Sequence, residues 1–291
     1  MIKIITEVET PDFSRKLRLE DKIMVLGSCF ADSMGERLLR HGYKAVVNPF
    51  GTLYNPYSIA EAVRRLDSGM PFTQEDCVEM GAGAGKICSF SHHTSFARDS
   101  VREFLDNANE RLREASAFWK EAGVVIVNYD SAFVWSCGDR VVANCLKLPA
   151  CEFERRRITV EECARLTSEL IAAHPDKRFI FSISPIRHPG GDGAHLSTLS
   201  KATLQLGLDE ALRMAPEASY FPSYEILMDE LRDYRFYADD LLHPSGKALD
   251  IIWEKFSKAA LNTGELQAAK EYEKQWKRAQ HIEKKRYISG L

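Results

Sequence analysis

The 291-residue chain is 45% hydrophobic and 28% charged, with a formal net charge of −3 and a pI near 6.3. That composition is ordinary for a globular domain able to bury a core without staples, and it carries no cationic excess that would call for a nucleic acid or an anionic membrane as partner. Seven scattered cysteines, odd in number and without a C-x-x-C pair, fit reduced thiols better than a disulfide framework.

The opening residues, MIKIITEVETPDF, reach an acidic residue within ten positions and hold no long apolar stretch, so no secretory signal is expected. No run approaches the roughly 18 apolar residues of a membrane span. A soluble, cytoplasmic protein is the expectation.

Apolar, β-branched runs over 23–28, 44–50, 123–129, 178–184 and, less clearly, 218–227 read as strands buried on both faces. Helical patterns fall between them at 31–41, 57–68, 99–122, 159–174, 197–214 and 244–261. This alternation predicts an α/β domain with a parallel sheet. Residues 70–98 break the rhythm and read as two short strands around a glycine-rich turn. The tail beyond residue 262 reads as a charged helix, solvated or docked through Leu266, Tyr272 and Trp276 on the body or on a second copy of the chain. The expected organisation is a domain over 1–261, with an insertion at about 70–98, and a helical extension over 262–291.

GAGAGK (81–86) is not a phosphate loop: Met80 stands where the first glycine is needed, Ile87 follows the lysine, and no strand-then-helix context surrounds it. It reads as a hairpin turn. LGSCFA (26–31) is different, because a small nucleophile at the first turn after a parallel strand sits where α/β sheets hold ligands. Ser28 could simply cap the next helix; as a nucleophile it needs a base, an orienting acid and oxyanion donors. D-x-x-H supplies base and acid in one turn and occurs twice, at Asp192…His195 and at Asp240…His243. The later pair follows the last strand, just before a helix, and is preferred. Gly51 and Asn144 lie after the second and third strands and could donate to an oxyanion; the plain alternatives are a turn glycine and a loop-satisfying asparagine. Cys29, a thiol at a helix start, could itself be a nucleophile. Successive residues point to different sides, so Ser28 and Cys29 should not share a pocket, and Cys29 is read as packing.

GSCFA (27–31), NPFGTLYNP (48–56), VVANCLK (141–147), SPIRH (184–188), LSKATL (199–204) and FYADDLLHPSGKA (236–248) resemble the GSCFA family, a branch of the SGNH-hydrolase superfamily. The resemblance implies a three-layer, flavodoxin-like α/β/α fold. It further implies an ester hydrolase or acyltransferase with Ser28, His243 and Asp240 as triad and Ser28, Gly51 and Asn144 as oxyanion donors. No metal or other cofactor is implied. The expected substrate is a small-molecule or carbohydrate ester, an acetylated sugar being one example. Two departures stand out: G-S-C replaces the superfamily's G-D-S, and Leu146 with Tyr129-Asp130-Ser131 replaces the family's usual residues near Asn144. Arg187, His188 and His93 are candidate substrate contacts. A non-catalytic anion-binding protein and a cysteine transferase acting through Cys29 are the rival readings.

Overall fold

The computed structural model describes residues 5–187 and 193–289. In chain order the elements are β1 (Lys22–Gly27), α1 (Cys29–Arg40), β2 (Lys44–Val47), α2 (Pro56–Ser68), β3 (Val78–Glu79), β4 (Ile87–Cys88), α3 (Val101–Glu121), β5 (Val124–Tyr129), β6 (Phe133–Cys137), β7 (Arg140–Val142) and β8 (Glu154–Arg157). Then follow α4 (Val160–Ala172), β9 (Arg178–Ile183), α5 (Gly193–Arg213), β10 (Ser219–Phe221), the single turn α6 (Ser223–Glu225), α7 (Gly246–Ala260) and α8 (Leu266–Ser289).

The five expected strands form one parallel sheet in the order β10-β9-β5-β1-β2. Alternation along each strand builds two cores. On one face Met24, Leu26, Val125, Val127, Phe179 and Phe181 pack against α2, α3, α4 and α5. On the other, Ile23, Val25, Val124, Ile126 and Ile180 pack against α1 and α7. The result is a three-layer α/β/α sandwich. Renumbered along the chain, the sheet order is 2-1-3-4-5, the flavodoxin-like order, whose switch point falls between β1 and β5. In sheets of this order the ligand crevice lies, as a rule, at the carboxyl ends of those two strands, where β1 hands over to α1.

The 70–98 segment is the expected hairpin: β3 and β4 pair antiparallel, and the turn holds Ala82, Gly83 and Gly85 at positive φ. A third sheet, β7-β6-β8, is antiparallel; there the Arg155 guanidinium lies 3.8 Å from the Phe133 ring centroid and 5.5 Å from that of Trp135. Helix α8 lies back on the end of α1, with Arg40 over Trp276 at 4.2 Å and Ala269 buried. Gly42 has no room for a Cβ, which would come within 2.5 Å of the Tyr272 ring. Among the described residues no helix is long and apolar enough to cross a membrane.

Candidate active site

β1 ends against β5 so tightly that a Cβ on Gly27, at φ +152°, would meet the Asn128 carbonyl oxygen at 2.4 Å. Asn48, itself at φ +43°, holds this end in place: Gly27 N–H donates to its Oδ1 at 2.8 Å, and its Nδ2 donates to Asp32 Oδ1 at 2.6 Å. Ser28 then takes extended backbone angles as the N-cap of α1. Its hydroxyl is wholly buried; it accepts from Phe30 N–H at 3.3 Å and donates to Asn128 Oδ1 at 2.8 Å. Asn128 Nδ2 passes the chain on to Ser182 Oγ at 2.9 Å. The Ser28 hydroxyl is thus committed beneath the sheet edge, in a capping role.

The next residue turns the other way. Cys29 is the first residue of α1, and its Sγ lies 3.4 Å from His243 Nε2. His243 Nδ1 contacts Asp240 Oδ2 at 2.6 Å. With Nδ1–H donating to the carboxylate, Nε2 is left to accept from the thiol. The loop that carries the pair is closed at its base by Ala238 N–H to His243 O and Ser245 N–H to Phe236 O, both 2.8 Å. Its tip forces Leu241 to φ +59°. Asp240 Oδ1 accepts from the backbone N–H of Leu242 and of His243, at 2.9 and 3.0 Å. Ser245 caps α7 immediately after. The expected Ser28–His243 pairing is therefore not formed. The alternation argument separates the two residues as it should, but the one facing the histidine is Cys29.

Burial, followed by the Asp130 and Asp32 carboxylates, pushes the Cys29 thiol up to about 11, so it rests as a thiol at neutral pH. The His243 and Leu242 amides, then the His243 ring, hold Asp240 down at about 2, and it stays a carboxylate. Burial raises the Tyr54 phenol, which Thr52 Oγ1 contacts at 3.2 Å. The Tyr54 carbonyl accepts from Asp130 and Ser131 N–H at 2.9 and 2.8 Å, tying the exit of β2 to that of β5.

The other candidates are placed as follows. Gly51 is at φ +80°, but its N–H donates to Asn48 O at 2.8 Å inside a turn, so it is a turn glycine and not a free oxyanion donor. A Cβ there would strike His93 at 2.4 Å. Asn144 Oδ1 accepts from Leu146 N–H at 2.8 Å, and Leu146 and Lys147 both take positive φ where the Leu146 carbonyl accepts from Gly81 N–H at 3.0 Å. That loop props the β3–β4 hairpin. His93 caps a short turn through Ser95 N–H at 3.3 Å and acts electrostatically on Asp32. His92 is buried among Phe50, Phe72, Phe96 and Phe104. Tyr129 is buried, its hydroxyl 3.2 Å from Thr167 Oγ1. Arg187 donates to Ala194 O and Thr198 Oγ1 at 3.2 and 2.9 Å. It lines a cavity of about 370 Å³ with Leu227, Tyr234, Tyr237, Leu241 and Leu242, beside the Asp240–His243 loop. His188 and Asp192 lie outside the described residues. Among the described residues no three His, Cys, Asp or Glu side chains are grouped to hold a metal ion.

Asn48, Asn128 and Lys201 escaped the sequence reading although they shape the site. The signal for Asn128 was available: it is the one polar residue in the otherwise apolar run VVIVNY.

Against known proteins, one similar solved structure is an acetyl xylan esterase from the rumen bacterium Butyrivibrio proteoclasticus, 11% identical with a TM-score of 0.37. The match covers 82% of this chain and 63% of that one, so this chain spans less than two thirds of that protein's length. The comparison with curated proteins returns no match. Residues 22–256 match the GSCFA family, and the chain belongs to it.

Proposed function

We propose that this protein is an acyl-ester hydrolase or acyltransferase that works through a cysteine, with Cys29 as nucleophile, His243 as general base and acid, and Asp240 as the group that orients the imidazole. One observation carries the reading: the Cys29 Sγ–His243 Nε2 contact at 3.4 Å, continued by His243 Nδ1–Asp240 at 2.6 Å. Nucleophile, base and orienting acid in one line are the parts that covalent acyl transfer requires.

The chemistry follows from the resting states. The thiol is neutral, so attack needs concerted removal of its proton: Sγ bonds to the ester carbonyl carbon as Nε2 takes the proton. The backbone N–H of Cys29, at the first turn of α1, would donate to the developing oxyanion with the helix dipole behind it. Collapse breaks the C–O bond, and the alkoxide leaves with the proton from His243. Water or another acceptor, deprotonated in turn by His243, then cleaves the thioester. Arg187 and the cavity beside the His243 loop would hold the substrate. An ester of a small molecule or carbohydrate remains the expected class.

The test is hydrolysis of a p-nitrophenyl acyl ester with and without iodoacetamide. Turnover lost in step with one carbamidomethyl group on Cys29, and spared in Ser28→Ala, supports the reading. Turnover that survives complete alkylation of Cys29 overturns it.

A further inference from the structure

Three strands end side by side beneath the thiol. Gly27, Asn128 and Ser182 are register partners across β1, β5 and β9. Two residues beyond each lie Cys29, Asp130 and Ser184. A side chain from α5 reaches into this row: Lys201 Nζ donates to Asp130 O at 2.6 Å, Asp130 Oδ1 at 3.2 Å and Ser184 O at 2.9 Å. The lysine side chain is 3% exposed and that of Asp130 1%. Burying an ammonium and a carboxylate is costly even when they are paired, and an apolar pair of similar volume often serves stability as well. Here all three ammonium protons are spent on two strand exits, both on the β5 side of the nucleophile.

We propose that Lys201 is a positioning residue for Cys29: it locks the exits of β5 and β9 into one rigid floor beside the thiol and offsets the Asp130 carboxylate, so that Cys29 can yield its proton to His243. This rests on Cys29 being the nucleophile. Among the described residues, the charged and titratable groups around the thiol include Asp32 from α1, Asp130 from the β5 exit, Tyr54 from the β2 exit, His243 from the loop before α7 and Lys201 itself. Asp130 and Asp32 oppose the thiolate, and Lys201 is a cation bonded to Asp130. Burial pulls the lysine's own pKa down and Asp130 opposes that fall.

The test is the rate of iodoacetamide alkylation of Cys29 between pH 6.5 and 9, read by intact mass, in the full chain. The Cys29→Ala variant corrects for the other cysteines, and circular dichroism reports folding. Below the thiol's midpoint the rate rises tenfold per pH unit, so a shifted midpoint reads as a constant factor across the range. Lys201→Met is expected to slow alkylation about tenfold, and Asp130→Asn to speed it about tenfold. The double variant, which holds neither charge, is expected to fall between the singles. Should Lys201→Met not fold, the double variant must still be slower than Asp130→Asn, since it lacks the cation. Shifts of the same sign, or no shift in folded variants, overturn the proposal. A wild type whose alkylation matches that of Cys29→Ala would instead defeat the nucleophile reading, so the two failures are distinguishable.

Discussion

Ser28 and Cys29 are neighbours in sequence and belong to opposite regions of the molecule. Below the sheet edge, Ser28, Asn128 and Ser182 form a closed, wholly buried chain of hydrogen bonds. Above it, Cys29, His243 and Asp240 form a chain open to the crevice. The first needs a group that accepts from a helix N–H and donates to an amide oxygen at once, which a hydroxyl does and a thiol does poorly. The second needs a group that gives up a proton to an imidazole and then attacks. Order on this edge is supplied by the residue whose hydroxyl is hidden, while the proposed function leaves reactivity to the residue beside it.

If that division is right, the two side chains fail in different ways. Cys29→Ala and His243→Ala are expected to lower kcat/KM by about a thousandfold or more while shifting Tm by less than about 2 °C; a calorimetric scan beside the esterase assay checks both. Gly27→Ala strikes the seam between the regions. Its Cβ has only 2.4 Å to the Asn128 carbonyl and an unfavourable φ, so a loss of about 3 kcal/mol or more in urea unfolding is expected, with activity falling alongside. Ser28→Ala removes the cap and leaves Asn128 Oδ1 unpaired. A loss of about 2 kcal/mol is expected, with kcat/KM within about threefold of wild type. If Ser28→Ala instead kills turnover in a stable protein, the division collapses.

Two histidines sharpen the same contrast. His243 is bonded at both ring nitrogens in an open loop. His92 is sealed among phenylalanines, and burial, followed by the Arg65 charge, pushes it down to about 3. The unfolded chain therefore takes up a proton near pH 6.5 that the folded protein refuses until about pH 3. Stability is full above 6.5 and falls as pH drops through that window, by about 2 kcal/mol between pH 7 and 5. His92→Phe is expected to flatten that slope in urea titrations run at each pH.

Much of this architecture was legible in the residues. The buried strands announce themselves as continuous apolar runs, and Pro222 shortens the fifth to three residues. The β6–β8 sheet was not, because β8 reads Glu-Arg-Arg-Arg and is held in part by Arg155 stacking on aromatic rings, which leaves no apolar period to see. At the site, D-x-x-H at 240–243 was preferred from its place after the last strand and before α7. Which of Ser28 and Cys29 faces it was not, because alternation says that neighbours diverge without saying which one points into the crevice. That choice is made by Asn128 across the sheet, which captures the hydroxyl. Gly51 looks like a donor in one dimension, but its N–H closes a local turn, while Asn144 Oδ1 accepts from Leu146 N–H.

The most direct measurement is intact-mass and peptide mapping of the acyl-enzyme trapped by rapid acid quench after mixing with a p-nitrophenyl acyl ester. One acyl group on Cys29 in wild type and Ser28→Ala, and none in Cys29→Ala or His243→Ala, is the result this account requires. An acyl group on Ser28, or one on Cys29 that forms as fast without His243, would contradict it.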